Sequence, residues 1–308
     1  MTVHGKAAKV SVSPEAGRFA GMLWKEIYKQ LNDTLQLLYP TGEAEAVARL
    51  IVETWGHQPL RSLLEQPAPG ELEDQLPGVL HDLLQHKPVQ YILQQAWFYK
   101  YPFYITPAVL IPRPETEELV AWILQETKPV TPDERLRVLD IGTGSGCIAV
   151  TLANEISAAE VSAIEISEEA LAVAQENAKR LNSPVTFQQL NFLQEEERSG
   201  LGQFDIIVSN PPYIAEQEKT AIQPNVSEHE PHLALFVPDS DPLLFYKAIA
   251  SFAKEHLSKN GTVYVEINQL LGKETKAVFE ERGFNNVQLI KDLSGNDRMI
   301  KACYNIQQ

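Results

Sequence analysis

Residues 137–150 read RVLDIGTGSGCIAV, an apolar run, then glycine at every second position, then a second apolar run. No other stretch restricts the fold as much. Val138, Leu139 and Ile141 form a near-continuous apolar segment of strand length, the pattern of a strand buried on both faces, as in a parallel sheet. Gly142, Gly144 and Gly146 permit the tight turn that leads into a helix over GCIAVTLANEI. Parallel neighbours need crossover connections, usually helices. The remaining C-terminal sequence supplies them: EVSAIEI, VTFQQL, FDIIVSN and GTVYVEI read as strands, and EEALAVAQENAKRLN and DPLLFYKAIASFAKEHL as helices. VQLIKDLSGNDRMIKACY reads as two strands around Gly295-Asn296. The expected class is α/β, a mostly parallel sheet covered by helices and completed by a terminal antiparallel hairpin.

Ahead of this region the periodicity is helical. Phe19, Leu23, Ile27, Leu31, Leu35 and Leu38 recur at three- and four-residue spacing, which predicts a first helix running to Pro40. A second is expected over GEAEAVARLIVETWG with Gly56 as its stop, and shorter ones over 59–65 and 71–86. The expected division is a disordered lead at 1–18, a helical bundle at 19–93, an exposed β-hairpin linker at 94–113 with Tyr101-Pro102 between its strands, and the α/β domain at 114–308. Pro114 suits the first turn of a helix, and Glu115, Glu117 and Glu118 place negative charge at its positive dipole end.

The chain has 41 acidic and 26 basic residues, a formal charge of −15, and no basic run. Binding along a phosphate backbone calls for clustered Lys and Arg, so direct nucleic-acid binding is not expected. No segment approaches the about 20 apolar residues of a spanning helix. Two cysteines are too few for a disulfide framework or a cysteine-rich zinc site, so the expected setting is the cytoplasm, with no membrane partner.

The glycine turn carries the first functional signal. Asp140, Gly142, Thr143, Gly144, Ser145 and Gly146 lie where open α/β sheets bind ligands, outside the carboxyl end of a strand. Glycines there let the backbone approach a ligand, and N–H groups exposed at the helix start can hold a polar or anionic group. The Gly-x-Gly-x-Gly spacing differs from the Gly-x-Gly-x-x-Gly of dinucleotide sites, and no Lys-Ser/Thr follows to suggest a triphosphate loop. A methionine-bearing adenosine cofactor is preferred. Glu165, at the end of the next strand, can accept hydrogen bonds from ribose hydroxyls, or else is a solvated charge opening the helix at Ser167. Asn191 and Phe192, after the third strand, can meet an adenine edge and ring, or else form a strand-end turn with a core aromatic.

The second signal is VSNPPYI at 208–214, where two prolines end an apolar strand abruptly. Together with DIGTGSG, PVQYI, LIPRPETEELV and EPHLAL, it resembles the release-factor glutamine methyltransferases and their ribosomal-protein relatives, over about residues 88–302. The resemblance implies a Rossmann-like methyltransferase sheet, S-adenosylmethionine as cofactor with S-adenosylhomocysteine as product, and the Gly-Gly-Gln glutamine of class I peptide release factors as target. It also assigns recognition of the protein substrate to the helical bundle. Asn-Pro-Pro-Tyr narrows the chemistry to methylation of a planar, conjugated nitrogen. Such a nitrogen is a poor nucleophile, because its lone pair is delocalised, so it must be held with that pair facing the methyl. The Asn210 carboxamide oxygen and the Pro211 carbonyl can accept its two N–H groups. Pro211 and Pro212 hold φ near −65° and add no competing donor. Tyr213 is expected to flank the amide, and Arg113 and Glu115 to line the substrate entrance. The competing view of the segment is a Pro-Pro turn that only ends a strand.

Several positions depart from the pattern: Glu165 and Asn191 stand where aspartate is usual, EINQLLG replaces a more usual Glu-Ile-Gly-x-x-Gln-Gly, and FVPDSDPLLFY lacks the glycines typical of that loop. His229 and His232 bracket Glu230-Pro231 without a nearby cysteine and make a poor metal set, so no metal is expected. A monomer is expected. The alternatives are a ribosomal-protein glutamine methyltransferase, a nucleic-acid adenine methyltransferase, or a catalytically silent binding module that has kept the fold.

Overall fold

The computed structural model describes residues 21–127 and 135–304, and the expected lead at 1–18 lies outside the described residues. Contacts divide the chain into two compact units, one ending at Gln85 and one beginning at His86.

The first unit contains α1 (Trp24–Leu35), α2 (Thr41–Gly56), α3 (Leu60–Leu63) and α4 (Gly70–Leu84). One face of α1 buries Trp24, Ile27, Leu31 and Leu35, which matches the spacing in the sequence. Their partners on α2 are Ala44, Ala48, Ile51 and Val52, small or β-branched residues that allow the two helices to approach. The first helix is shorter than expected. It ends at Leu35, and Leu38 and Tyr39 both donate to the Leu35 carbonyl in a tightened final turn. Proline disfavours helical geometry in the residue before it, so the helix unwinds ahead of Pro40. Gly56 closes α2 for a reason other than backbone conformation. A Cβ there would lie 2.3 Å from Leu63 Cδ1, and the left-handed residue is His57, at φ +51°.

The second unit begins with α5 (Val89–Leu93), β1 (Gln95–Phe98) and β2 (Tyr101–Tyr104). It continues with α6 (Pro114–Glu126), β3 (Leu136–Ile141), α7 (Cys147–Glu155), β4 (Ala159–Glu165), α8 (Glu168–Arg180), β5 (Val185–Gln189), α9 (Glu195–Arg198) and β6 (Phe204–Ser209). Then come β7 (Ile214–Ala215), a 3₁₀ turn at Glu216–Ala221, α10 (Pro224–Ser227), α11 (His232–Leu235) and β8 (Phe236–Val237). The chain closes with α12 (Leu244–His256), β9 (Leu257–Glu266), α13 (Gly272–Glu281), β10 (Asn285–Lys291) and β11 (Asp297–Cys303). Seven of the strands form one sheet in the order β10-β11-β9-β6-β3-β4-β5, in which only β11 runs antiparallel to its neighbours.

Alternation along each strand divides the core between the two sheet faces. Val138, Val161, Ala163, Ile206 and Val208 pack with α6, α7 and α8, whereas Leu139, Ile141, Ile164, Ile207, Val263 and Val265 pack with α12 and α13. Period-two side chains buried on both faces are what the near-continuous apolar runs demanded.

The hairpin differs from expectation. Its turn is Tyr99-Lys100, with Tyr99 at φ +59°, and Pro102 lies within β2 opposite Trp97. Phe98 and Phe103 are fully buried and meet edge to face at 6.0 Å, so the hairpin belongs to the core of the second unit. Alternation gives the strands both characters, since Trp97 and Pro102 face outward while Ala96, Phe98 and Phe103 face in. α5 joins the same unit. The Tyr91 hydroxyl donates to the Val109 carbonyl at 2.6 Å, and the side chain sits in the same core, which moves the boundary from residue 93 to Gln85.

Candidate active site

A cavity of about 470 Å³ opens at the carboxyl ends of β3, β4 and β6. That size falls within the range of small-molecule sites. Its walls include Gly142 to Ser145, Glu165, Asn191, Phe192, Asn210, Pro211, Pro212 and Arg113. Four expected residues stand outside the wall: Asp140, Gly146, Tyr213 and Glu115.

The glycine turn is built by its own backbone. Gly142, Gly144 and Gly146 have φ of +71°, +55° and +80°, a region that costs an L side chain strain. A Cβ on Gly146 would also press on Ala174 at 3.2 Å, where α7 and α8 meet. Four N–H donors of this turn are already engaged within the protein. Gly142 and Thr143 N–H both donate to the Ile164 carbonyl, Gly146 N–H to the Thr143 carbonyl, and Gly144 N–H to Glu165 Oε2 at 2.9 Å. At those four positions the turn offers shape and close approach, and their N–H groups do not form a phosphate nest. Asp140 sits beneath it, fully buried, and accepts the Thr143 hydroxyl at 2.6 Å. Burial pushes its carboxyl up to about 7, against the opposing pull of that hydroxyl.

Glu165 is no solvated charge, being 9% exposed. Besides Gly144, it accepts Ile166 and Ser167 N–H through Oε1. A carboxylate has about four acceptor positions, so one remains for a guest. Asn191 accepts Leu193 N–H at 3.1 Å through Oδ1, which leaves that oxygen one lone pair. Phe192 forms cavity wall and core at once, its ring edge to face with Phe252 at 5.4 Å. Cys147 also lines the cavity, and burial pushes its thiol up to about 12, so it stays protonated at neutral pH.

At the other end of the cavity, Asn210 Nδ2 donates to Thr116 Oγ1 at 3.1 Å, and Thr116 donates to Glu266 Oε2 at 2.6 Å. The Tyr213 hydroxyl donates to Glu266 Oε1 at 3.1 Å, so this side chain turns toward β9 and packs with Leu139-side residues of the sheet. Tyr213 thus does not flank the cavity as expected. Arg113 pairs with the buried Glu230 at 2.5 Å, and Glu230 also accepts Ile111 N–H at 3.2 Å. Burial raises the Glu230 carboxyl, and Arg113 opposes the rise. Glu115 is half-buried, and its charge acts on Glu266.

Thr116, Glu266 and Glu230 were not singled out in the sequence, although two of them left a signal. Thr116 occupies the stripe of Leu119, Val120 and Ile123, a hydroxyl on the buried face of α6. Glu266 is a carboxylate at the end of β9, set between the buried Val265 and Ile267.

The residues fit an S-adenosylmethionine-type guest. The wall carries the carboxylates of Glu165 and Glu169, and of its basic side chains Arg113 is tied to Glu230. Wall carboxylates, with four of the turn's N–H donors already engaged, suit a hydroxyl-bearing cation better than a phosphate.

The methyltransferase small domain family matches residues 121–233. A release factor glutamine methyltransferase from Flavobacterium psychrophilum is 47% identical over 285 residues, covering 91% of this chain and 99% of that protein. One from Bacteroides thetaiotaomicron is 42% identical over 275 residues, covering 88% and 97%. Among solved structures, the hMettl16 catalytic domain in complex with a MAT2A 3′UTR hairpin aligns with a TM-score of 0.51 at 16% identity, over 67% of this chain and 76% of that one. That last likeness is one of fold.

Proposed function

The chain belongs to the release factor glutamine methyltransferases, and from that membership we propose that it moves a methyl group from S-adenosylmethionine to the side-chain amide nitrogen of the glutamine in the Gly-Gly-Gln motif of class I peptide release factors. When bound, the cofactor supplies an electrophilic methyl on a sulfonium that leaves as the neutral thioether of S-adenosylhomocysteine. The chain's own residues bind and orient. Glu165 takes a ribose hydroxyl at its remaining acceptor position, Asn191 and Phe192 meet the adenine, and the glycine turn allows the cofactor's approach to the backbone. Asn210 Oδ1 and the Pro211 carbonyl accept the two N–H groups of the glutamine, which turns its lone pair toward the methyl. As the N–C bond forms and the S–C bond breaks, these two oxygens stabilise the positive charge growing on nitrogen. The nitrogen then loses one proton to water. Orientation of this kind can supply up to about 7–11 kcal/mol of the barrier reduction.

The observation that carries this proposal is a single cavity joining Glu165 and Asn191 with Asn210 and Pro211, from the ends of separate strands. The net charge of −15 favours a protein over a nucleic-acid substrate. The helical unit ending at Gln85 serves to recognise the release factor, and the enzyme works as a monomer in the cytoplasm. Incubation with methyl-labelled cofactor, a class I release factor and its Gly-Gly-Gln glutamine-to-alanine variant tests the assignment. Mass mapping should place one methyl on that glutamine and none on the variant. Label on a ribosomal protein or an adenine, with the release factor unmodified, would overturn it.

A further inference from the structure

We propose that Thr116 and Glu266 are positioning residues that decide which end of the Asn210 carboxamide meets the substrate. The inference rests on the methyl-transfer proposal, in which Asn210 serves as an acceptor, and adds how that acceptor is aimed. An amide side chain has two ends of nearly equal size and opposite character, and packing alone distinguishes them poorly. Hydrogen-bond direction does distinguish them. Glu266 lies at the end of β9 with 1% exposure, and Thr116 in the first turn of α6 with 3%. The Thr116 hydroxyl has one proton, which goes to Glu266 Oε2 at 2.6 Å. Toward Asn210, therefore, Thr116 Oγ1 has only lone pairs to offer.

The group 3.1 Å from that oxygen must accordingly be the Asn210 NH₂, which leaves Oδ1 as the free end. The reversed amide would set two oxygens against each other inside the protein and turn N–H donors toward the N–H donors of the glutamine. A buried charge on Glu266 is thereby converted into an orientation two groups away. Tyr213 takes part from the other side, since its hydroxyl occupies Glu266 Oε1 and leaves Oε2 to Thr116.

Glu266 is faced by Arg298 from β11, by Glu115 and Thr116 from α6, and by Tyr213 from the segment after β6. The Tyr246 hydroxyl of α12 donates to the Glu266 backbone carbonyl at 3.2 Å, and the Cys147 thiol of α7 also feels the charge. Burial pushes the Glu266 carboxyl above its ordinary value, while Thr116 and Arg298 pull it down. Once protonated, Glu266 can donate to Thr116, the Thr116 proton is free to turn to Asn210, and the preference for one amide orientation disappears. Turnover should fall on the acid side for this reason.

The test uses the full chain with release factor and S-adenosylmethionine, comparing wild type with Thr116→Val, Thr116→Ser, Glu266→Gln and Asn210→Ala. Thr116→Val keeps the shape and removes the hydroxyl. It should lower kcat about 10–100-fold, the usual scale for losing a supporting hydrogen bond behind a functional group, with little change in cofactor Kd by calorimetry or in the release-factor KM. Thr116→Ser should retain most of the rate, and Glu266→Gln should lower kcat and lose the acid limb of its pH profile. Wild-type kcat in Thr116→Val beside an inactive Asn210→Ala would overturn the relay and leave the methyl-transfer assignment intact. A fully active Asn210→Ala would remove the assignment beneath it. Loss of kcat, KM and thermal stability together in Thr116→Val, without rescue by serine, would also overturn the relay, because that is the pattern of a packing role.

Discussion

Asp140 illustrates how a residue at the foot of a binding turn shapes the pH response of the molecule. Its carboxyl is fully buried and its pKa is raised from near 4 to about 7, with desolvation as the largest cause. A native state that keeps this proton longer than the unfolded chain is stabilised at low pH relative to high pH. The contribution is fully present below about pH 4 and lost as pH rises through about 7, with a slope of up to about 1.4 kcal/mol per pH unit between them. Asp140→Asn removes the titrating group and keeps an acceptor for the Thr143 hydroxyl. Denaturant unfolding at pH 5 and pH 7 should show the variant gaining on wild type at the higher pH, and a constant difference between the two would refute the account. The residue itself was legible, because an acidic residue ending an apolar strand ahead of glycines stands out. Its burial was not, because burial comes from strands β4 and β6 on either side of β3, which pattern alone does not place. Tyr213 failed for a related reason: the sequence says where the strand ends, but not that the ring turns away toward Glu266.

Among elements, the first hairpin and the glycine turn are joined through α8. Asn177 has no exposure, accepts Tyr104 N–H at 2.7 Å, and donates to the Tyr104 and Ser145 carbonyls at 2.8 and 2.9 Å. One side chain thus holds β2 and the turn that lines the cavity against the same helix. Asn177→Ala strands these buried backbone groups, and a loss of about 2–4 kcal/mol is expected from the usual cost of unsatisfied buried donors and acceptors. Cofactor affinity should fall as well, since Ser145 is part of the cavity wall. Chemical denaturation and calorimetric titration check the two effects separately; an unchanged unfolding midpoint would show that the clamp contributes little. The parallel sheet, its helices and the terminal hairpin were readable from periodicity. The clamp was readable only as an anomaly, an amide on the apolar stripe Ala170, Val173, Ala174 and Ala178. The hairpin's burial was hidden because aromatic residues of both orientations look alike in sequence: Trp97 is 62% exposed, whereas Phe98 is fully buried.

At the scale of the whole molecule, the division at Gln85 separates tasks that can be measured separately. Every residue of the cavity wall comes from the unit beginning at His86, and so does every member of the two large core clusters. That unit holds a seven-stranded sheet with helices on both faces, and it supplies its own core on each face. A fragment of residues 86–308 should therefore fold cooperatively and bind S-adenosylmethionine about as tightly as the full chain. If the helical unit recognises the release factor, its loss raises KM for the intact protein substrate and leaves untouched the steps proposed for Asn210 and Glu165. Binding energy gained away from the reacting atoms acts on the whole substrate, and a short peptide carrying Gly-Gly-Gln never had access to it. The fragment and the full chain should then methylate such a peptide at similar rates, while only the full chain methylates release factor efficiently. Steady-state assays of both proteins on both substrates decide the matter: equal efficiency on intact release factor would remove the helical unit from recognition, and loss of peptide methylation by a folded, cofactor-binding fragment would place part of the chemistry outside the cavity described.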